Sequence, residues 1–171
     1  MRFFKLRLVT TLSGIGIASL LNAYESLPTD KTKDYYLMNE NSLKHYYFVE
    51  TSQGKIAIWD TKPQSESQTP TVIFIHGHCT NKEFFSQQLT SPLFAKYRLI
   101  ALDLPGYGKS NLPADPQKVY TFPGFADSVS EVINVMKLED VIVIGWSLGG
   151  HVAIVLATSL EKRHHFVTSK Y

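Results

Sequence analysis

The chain has 171 residues, 44% of them apolar and 19% charged, with a formal net charge of +2. These proportions fit one globular domain and exclude a disordered or low-complexity chain. A single cysteine, Cys79, excludes an internal disulfide and a cysteine zinc cluster, and reads as a free thiol or a small buried loop residue.

The first 23 residues stand apart. Arg2, Lys5 and Arg7 precede an uncharged, largely apolar run from Leu8 to Leu21, followed by Asn22-Ala23. That order is the pattern of an export signal cut after Ala23, which implies a periplasmic or secreted protein. The alternative is a short amphipathic or disordered leader on a cytoplasmic one. Without the segment, 14 basic residues face 15 acidic ones, so the basic balance belongs to the leader. No Lys/Arg stripe points to a nucleic-acid partner, and no later segment is long and apolar enough to span a bilayer. Residues 24–44 are polar, hold no steady period and read as a tether.

Residues 45–50 and 55–60 are short, aromatic and β-branched, and Thr51-Ser52-Gln53-Gly54 between them reads as a hairpin connection. Pro63 to Pro70 marks a surface loop. Thr71 to Ile75 is continuously β-branched or aromatic, the signature of a strand covered on both faces. After His76-Gly77-His78-Cys79, Thr80 and Glu83 have the spacing of a capping box, with Phe84, Phe85, Gln88 and Leu89 in a short helix. Tyr97 to Leu102 is the next predicted strand, closed by Asp103 and the turn-forming Pro105-Gly106-Tyr107-Gly108. A long loop runs through residue 121. Phe125, Val129, Val132, Ile133 and Met136 then recur at helical spacing, which predicts a helix from Pro123 to Lys137 that starts near Thr121 or Phe122. Val141 to Ile144 is a second buried-type strand, and Leu148 to Leu160 an apolar helix. Alternating strands and helices predict an α/β fold with a mostly parallel sheet.

The chemistry concentrates at Gly145-Trp146-Ser147-Leu148-Gly149, a G-x-S-x-G string between a strand and a helix. Gly145 and Gly149 permit a sharp turn that leaves Ser147 exposed, and the Leu148 N–H falls in the first helical turn, where it is available to developing negative charge. The bland reading is a glycine turn that happens to hold a serine. His76-Gly77-His78-Cys79 follows a buried strand, where a small-residue turn at Gly77 brings a second N–H, from His78 or nearby, to the same oxyanion. Metal binding by His76 and His78 lacks a third ligand at matching spacing. His76 reads as a structural loop residue. Asp103 to Ser110 lacks the glycine spacing of a phosphate loop; it reads as a strand-exit turn in which Asp103 accepts loop N–H bonds and Gly106 and Gly108 allow close packing.

No proton acceptor for Ser147 is evident. His151 lies four residues along the following helix, His164 and His165 sit in a terminal basic cluster, and nothing in the sequence turns Asp127, Glu131 or Asp140 toward the serine. No motif calls for a cofactor.

Together, H-G-H-C at 76–79, D-L-P-G-Y-G-K-S at 103–110, P-G-F-A-D at 123–127 and G-W-S-L-G-G-H at 145–151 resemble, in the same order, the α/β-hydrolase superfamily over residues 45–160. Within it they are most similar to the serine-nucleophile esterase, lipase and peptidase-like branch. A serine at 147 separates the chain from the epoxide-hydrolase and haloalkane-dehalogenase branches, which use Asp there. The resemblance implies the N-terminal half of an α/β-hydrolase fold, with strand order 1-2-4-3-5-6-7-8, the second strand antiparallel and helices on both faces. It implies Ser147 as nucleophile, with His78 and Leu148 at the oxyanion hole. The acid and histidine of that family follow its strands seven and eight. Residues 45–171 are therefore expected to form a partial domain lacking strands six to eight. The functional expectation is a serine hydrolase for esters or related acyl compounds, taking a small acyl substrate if completed and inactive as this chain. The alternative is a nonenzymatic remnant or interaction module. An open edge on the strand before Ser147 is expected to favour self-association.

Overall fold

The computed structural model describes residues 5–11, 45–61 and 70–168. Six strands, β1 (Lys5–Thr11), β2 (Tyr46–Thr51), β3 (Gly54–Asp60), β4 (Thr71–Ile75), β5 (Arg98–Leu102) and β6 (Asp140–Trp146), form one sheet in the order β1-β6-β4-β5-β3-β2. β1, β6, β4 and β5 run parallel, while β3 is antiparallel to both its neighbours. With β2 to β6 taken as the first five strands, this is the order that the resemblance implies.

Parallel neighbours must be joined by crossovers, and here these are helical. Between β4 and β5 the chain makes a 3-10 turn (Lys82–Phe85), the short helix α1 (Ser86–Thr90) and a second 3-10 turn (Pro92–Phe94). From β5 to β6 it passes through α2 (Pro116–Val119) and α3 (Phe122–Val135), and α4 (Leu148–Thr168) follows β6. Asn81, not Thr80, caps the first turn: its side chain accepts the Glu83 N–H at 2.9 Å, whereas the Thr80 hydroxyl donates to the Gly77 carbonyl at 3.3 Å. Both side chains suit a cap, and the loop geometry selects the later one. Helix α2 lies where a plain loop was expected; Asp115 caps it on the Lys118 N–H and Pro116 opens it. Thr121 caps α3 by accepting the Gly124 N–H at 3.0 Å.

Alternation along the strands divides the core into two layers. On one face Ile73, Ile75, Ile100, Leu102, Val141 and Val143 pack with Phe125, Val129, Val132 and Ile133 of α3 and Val152, Ala153 and Leu156 of α4. On the other, Val72, Phe74, Leu99 and Ala101 meet Phe85 and Leu89, with Ile142, Ile144 and Trp146 only half-buried beside them. Each fully buried large aliphatic side chain contributes about 1.5–3 kcal/mol. β4, between β6 and β5, is buried from Val72 to Ile75, as a strand covered on both faces must be.

The β6 edge expected to lie open is occupied. β1 pairs with it in parallel register from Lys5↔Asp140 to Thr11↔Trp146, in the position that the resemblance gives to a sixth strand. Lys5-Leu6-Arg7-Leu8 alternates charged and apolar residues, the two-residue period of a strand. An edge strand also leaves a row of N–H and C=O groups that pairing satisfies. Residues 1–4 and 12–23 of the leader, the 24–44 tether, the loop over 62–69 and residues 169–171 lie outside the described residues. Among the described residues no helix is long and apolar enough to cross a membrane.

Candidate active site

β6 ends and α4 begins on either side of Ser147, which is exposed and has φ 52°, the left-handed region that side chains other than glycine rarely adopt. Such a bend between two regular elements projects the side chain outward. Its tightness forbids larger neighbours: a Cβ on Gly149 would strike the carbonyl oxygen of Ile75, and one on Gly145 the carbonyl oxygen of Gly149. The Ser147 carbonyl turns back into the helix and accepts the Gly150 N–H at 2.9 Å. Leu148 opens α4, so its N–H has no acceptor within the helix.

The loop after β4 packs against this bend. A Cβ added to Gly77 would lie 2.9 Å from Trp146 Cδ1 and 3.2 Å from Ser147 Cβ, so only glycine permits this approach. His78 and Cys79 are exposed beyond it, and Cys79 also takes a left-handed φ, 58°. The Gly77 carbonyl is gripped twice, by His76 Nδ1–H at 2.7 Å and by the Thr80 hydroxyl at 3.3 Å. Because the peptide unit is planar and trans, fixing that carbonyl also fixes the direction of the His78 N–H.

His76 is fully buried and anchored at its other nitrogen, where Nε2 accepts the Leu104 N–H at 3.0 Å. Nδ1 therefore carries the proton. Burial pushes this imidazole below its usual pKa, against smaller upward pulls from the Gly77 carbonyl and the Asp103 carboxylate, so the ring is neutral at neutral pH. Beside it, Asp103 Oδ1 accepts the Lys82 N–H (2.7 Å), and Oδ2 accepts both the Lys109 N–H (2.8 Å) and Lys82 Nζ (2.7 Å). Gly108 closes over this carboxylate so tightly that a Cβ would fall on it, and Gly106 sits similarly under the Tyr120 hydroxyl. Tyr107, in the same turn, shares a 2.7 Å hydrogen bond with His78 Nδ1. The contacts of Lys82 and Tyr107 carried no signal in the sequence. A lysine in a first helical turn is expected in solvent, and a turn tyrosine has no fixed direction.

His76 and His78 thus hold separate partners rather than converging, and no group of His, Cys, Asp and Glu among the described residues is placed to hold a metal. His151 does come back toward Ser147, but to its backbone: Nδ1 donates to the Ser147 carbonyl at 3.2 Å while the ring stacks on Phe122 at 4.9 Å and 13°. Glu131 accepts from the Ser52 N–H and hydroxyl at the β2–β3 turn. Asp140 begins β6, about 20 Å of strand from the bend. Asp127 is exposed on α3. The side chains of His164 and His165 lie outside the described residues.

Residues 70–164, which include both the loop and the bend, match the family model described as alpha/beta hydrolase fold. The chain belongs to that family. Among relatives, it is 37% identical over 83 residues to the AB hydrolase superfamily protein YisY of Bacillus subtilis, covering 48% of this chain and 30% of that one. It is 26% identical over 161 residues to Protein ABHD14A of Rattus norvegicus, covering 93% of this chain and 64% of the relative. Among solved structures, the N-acyl homoserine lactonase AidH superposes with a TM-score of 0.61 at 38% identity, over 67% of this chain and 40% of the lactonase. The chain therefore spans less than two thirds of the length of each of these three proteins.

Proposed function

We propose that this chain carries the nucleophile and the oxyanion donors of a serine hydrolase acting on carboxylic esters or related acyl compounds. Ser147 Oγ attacks the acyl carbon, and the N–H groups of Leu148 and His78 receive the oxyanion. The leaving group departs with a proton, and water then hydrolyses the acyl-enzyme. The observation that carries this reading is a serine held at φ 52° with Gly77 against its Cβ. The 38% identity to a lactonase supports an ester-type substrate, since a lactone is a cyclic ester. The scheme requires no cofactor.

The attacking hydroxyl must lose its proton, and a serine without a base is a poor nucleophile. His76, His78 and His151 are engaged with Gly77 and Leu104, with Tyr107, and with the Ser147 carbonyl respectively. With no base placed on Ser147 among the described residues, Ser147-dependent turnover by this chain alone is expected to be absent or weak. The assay is hydrolysis of a short-chain nitrophenyl ester by purified protein beside Ser147→Ala; robust turnover lost in that variant would overturn the statement. The same engagement of the histidines favours a second reading, a nonenzymatic interaction module. That reading requires partner binding to be unchanged by Ser147→Ala.

Export remains part of the proposal, resting on the order of residues 1–23. Cleavage after Ala23 would remove β1 together with the leader. The amino-terminal sequence of the secreted protein would decide it.

A further inference from the structure

Two consecutive residues, Asp103 and Leu104, hold the two ends of the loop that faces Ser147. Leu104 donates its N–H to His76 at the loop's start, and Asp103 takes both the N–H and the Nζ of Lys82 at its exit. Three residues later Tyr107 holds His78 in the middle. The exit contact is unusual in kind. One residue grips a single carboxylate by backbone and side chain together, and the pair is buried, with side chains 2% and 0% exposed. The rings of Tyr46 and Trp59, from β2 and β3, lie 5.1 and 5.5 Å from the same ammonium. A lysine is rarely taken fully out of water unless paired. Here the pairing stops the loop's exit from rotating, because rotation would break both bonds to Asp103.

We propose that Lys82 and Tyr107 are positioning residues of the oxyanion loop, tying its exit and its middle to the turn Asp103–Tyr107 so that the His78 N–H keeps one orientation beside Ser147. The catalytic consequence rests on Ser147 being the nucleophile; the mechanical claim does not. Lys82 touches no reacting atom and acts through Asp103. Tyr107 acts through the His78 ring.

The test uses the full chain with Lys82→Met, Lys82→Arg and Tyr107→Phe. Cys79, the one thiol of the sequence, lies in the loop and is held at φ 58°, so its rate of alkylation by iodoacetamide reports whether the loop keeps its conformation. Phosphonylation of Ser147 by a fluorophosphonate, with imidazole added as external base and Ser147→Ala as control, reports the oxyanion site. Lys82→Met and Tyr107→Phe are expected to change that rate about threefold or more as the loop loses its fixed conformation. Their phosphonylation is expected to slow about tenfold or more through misplacement of the donor. Lys82→Arg, which keeps the charge, is expected to recover part of both. If Lys82→Met does not fold, Tyr107→Phe carries the test, since it removes a hydroxyl and leaves the buried pair intact. Alkylation within about twofold of the parent in folded variants would overturn the proposal. Altered alkylation with unchanged phosphonylation would overturn it as well. A parent chain whose Ser147 never reacts would sink the nucleophile reading, while the Cys79 rates would still judge the tether.

Discussion

The Leu104 N–H reaches across 28 residues of sequence to His76 Nε2, at 3.0 Å, and thereby sets which nitrogen of that ring carries the proton. The protonated Nδ1 then holds the Gly77 carbonyl, and the peptide plane passes the constraint to His78. A backbone donor on the exit of one strand thus orients a backbone donor on the exit of its neighbour.

One consequence concerns acid. Burial lowers the His76 pKa in the folded state, so as pH falls below about 6.5 the unfolded chain takes up this proton first. The contribution of His76 to stability is full above that pH and declines below it, because a protonated ring cannot accept the Leu104 N–H. Urea midpoints should fall between about pH 7.5 and pH 5.5, and the fall should be smaller in His76→Asn. Equal pH sensitivity in parent and variant would contradict this.

Adjacent glycines should respond oppositely to alanine. At Gly149 a Cβ meets the Ile75 backbone oxygen, which neither element can move without disturbing the sheet. At Gly150 its nearest neighbour is the Gly145 carbonyl oxygen at 3.5 Å, an ordinary contact. Gly149→Ala is expected to lower stability by at least about 3 kcal/mol, as overpacking does at its upper range. Gly150→Ala is expected to raise it by about 0.5–1 kcal/mol through helix propensity. Paired denaturant melts would show the sign difference.

Removing the partner of a buried charge should be severe. Lys82→Met leaves the Asp103 carboxylate buried with only N–H donors, and a loss of about 3–5 kcal/mol is expected in equilibrium unfolding. Lys55→Met, which removes a surface pair to Glu50, should change stability by less than about 1 kcal/mol. Comparable losses at the two lysines would refute the distinction.

The β1 pairing makes a prediction about assembly. Deleting residues 1–11 should uncover the β6 edge and make the protein associate with rising concentration, seen by light scattering on size-exclusion fractions. A monomer unchanged by the deletion would show that β1 does not protect that edge.

Much of this arrangement was legible in the residues. The unbroken β-branched and aromatic run of β4, the start of α3 near Thr121 and the glycine spacing around Ser147 each have a local cause, and local causes survive folding. Tertiary demands hid the rest. The order of basic then apolar residues that marks an export signal also builds an edge strand, so Lys5 to Thr11 looked like leader alone. Thr80 and Asn81 are equally good caps in isolation, and only the loop's path, which turns Thr80 onto Gly77, decides between them. Lys82 was invisible because its burial depends on Asp103, Tyr46 and Trp59, which come from three separate strands or their exits.

The proposed reading of Ser147 as a nucleophile with no base among the described residues is open to chemical rescue. Intact-mass measurement of fluorophosphonate adducts, taken across a series of imidazole concentrations, should show a single slow adduct on Ser147 whose rate climbs with imidazole and which is absent from Ser147→Ala. Rapid labelling without imidazole would reveal a base within the chain, and no adduct at any imidazole concentration would remove the nucleophile.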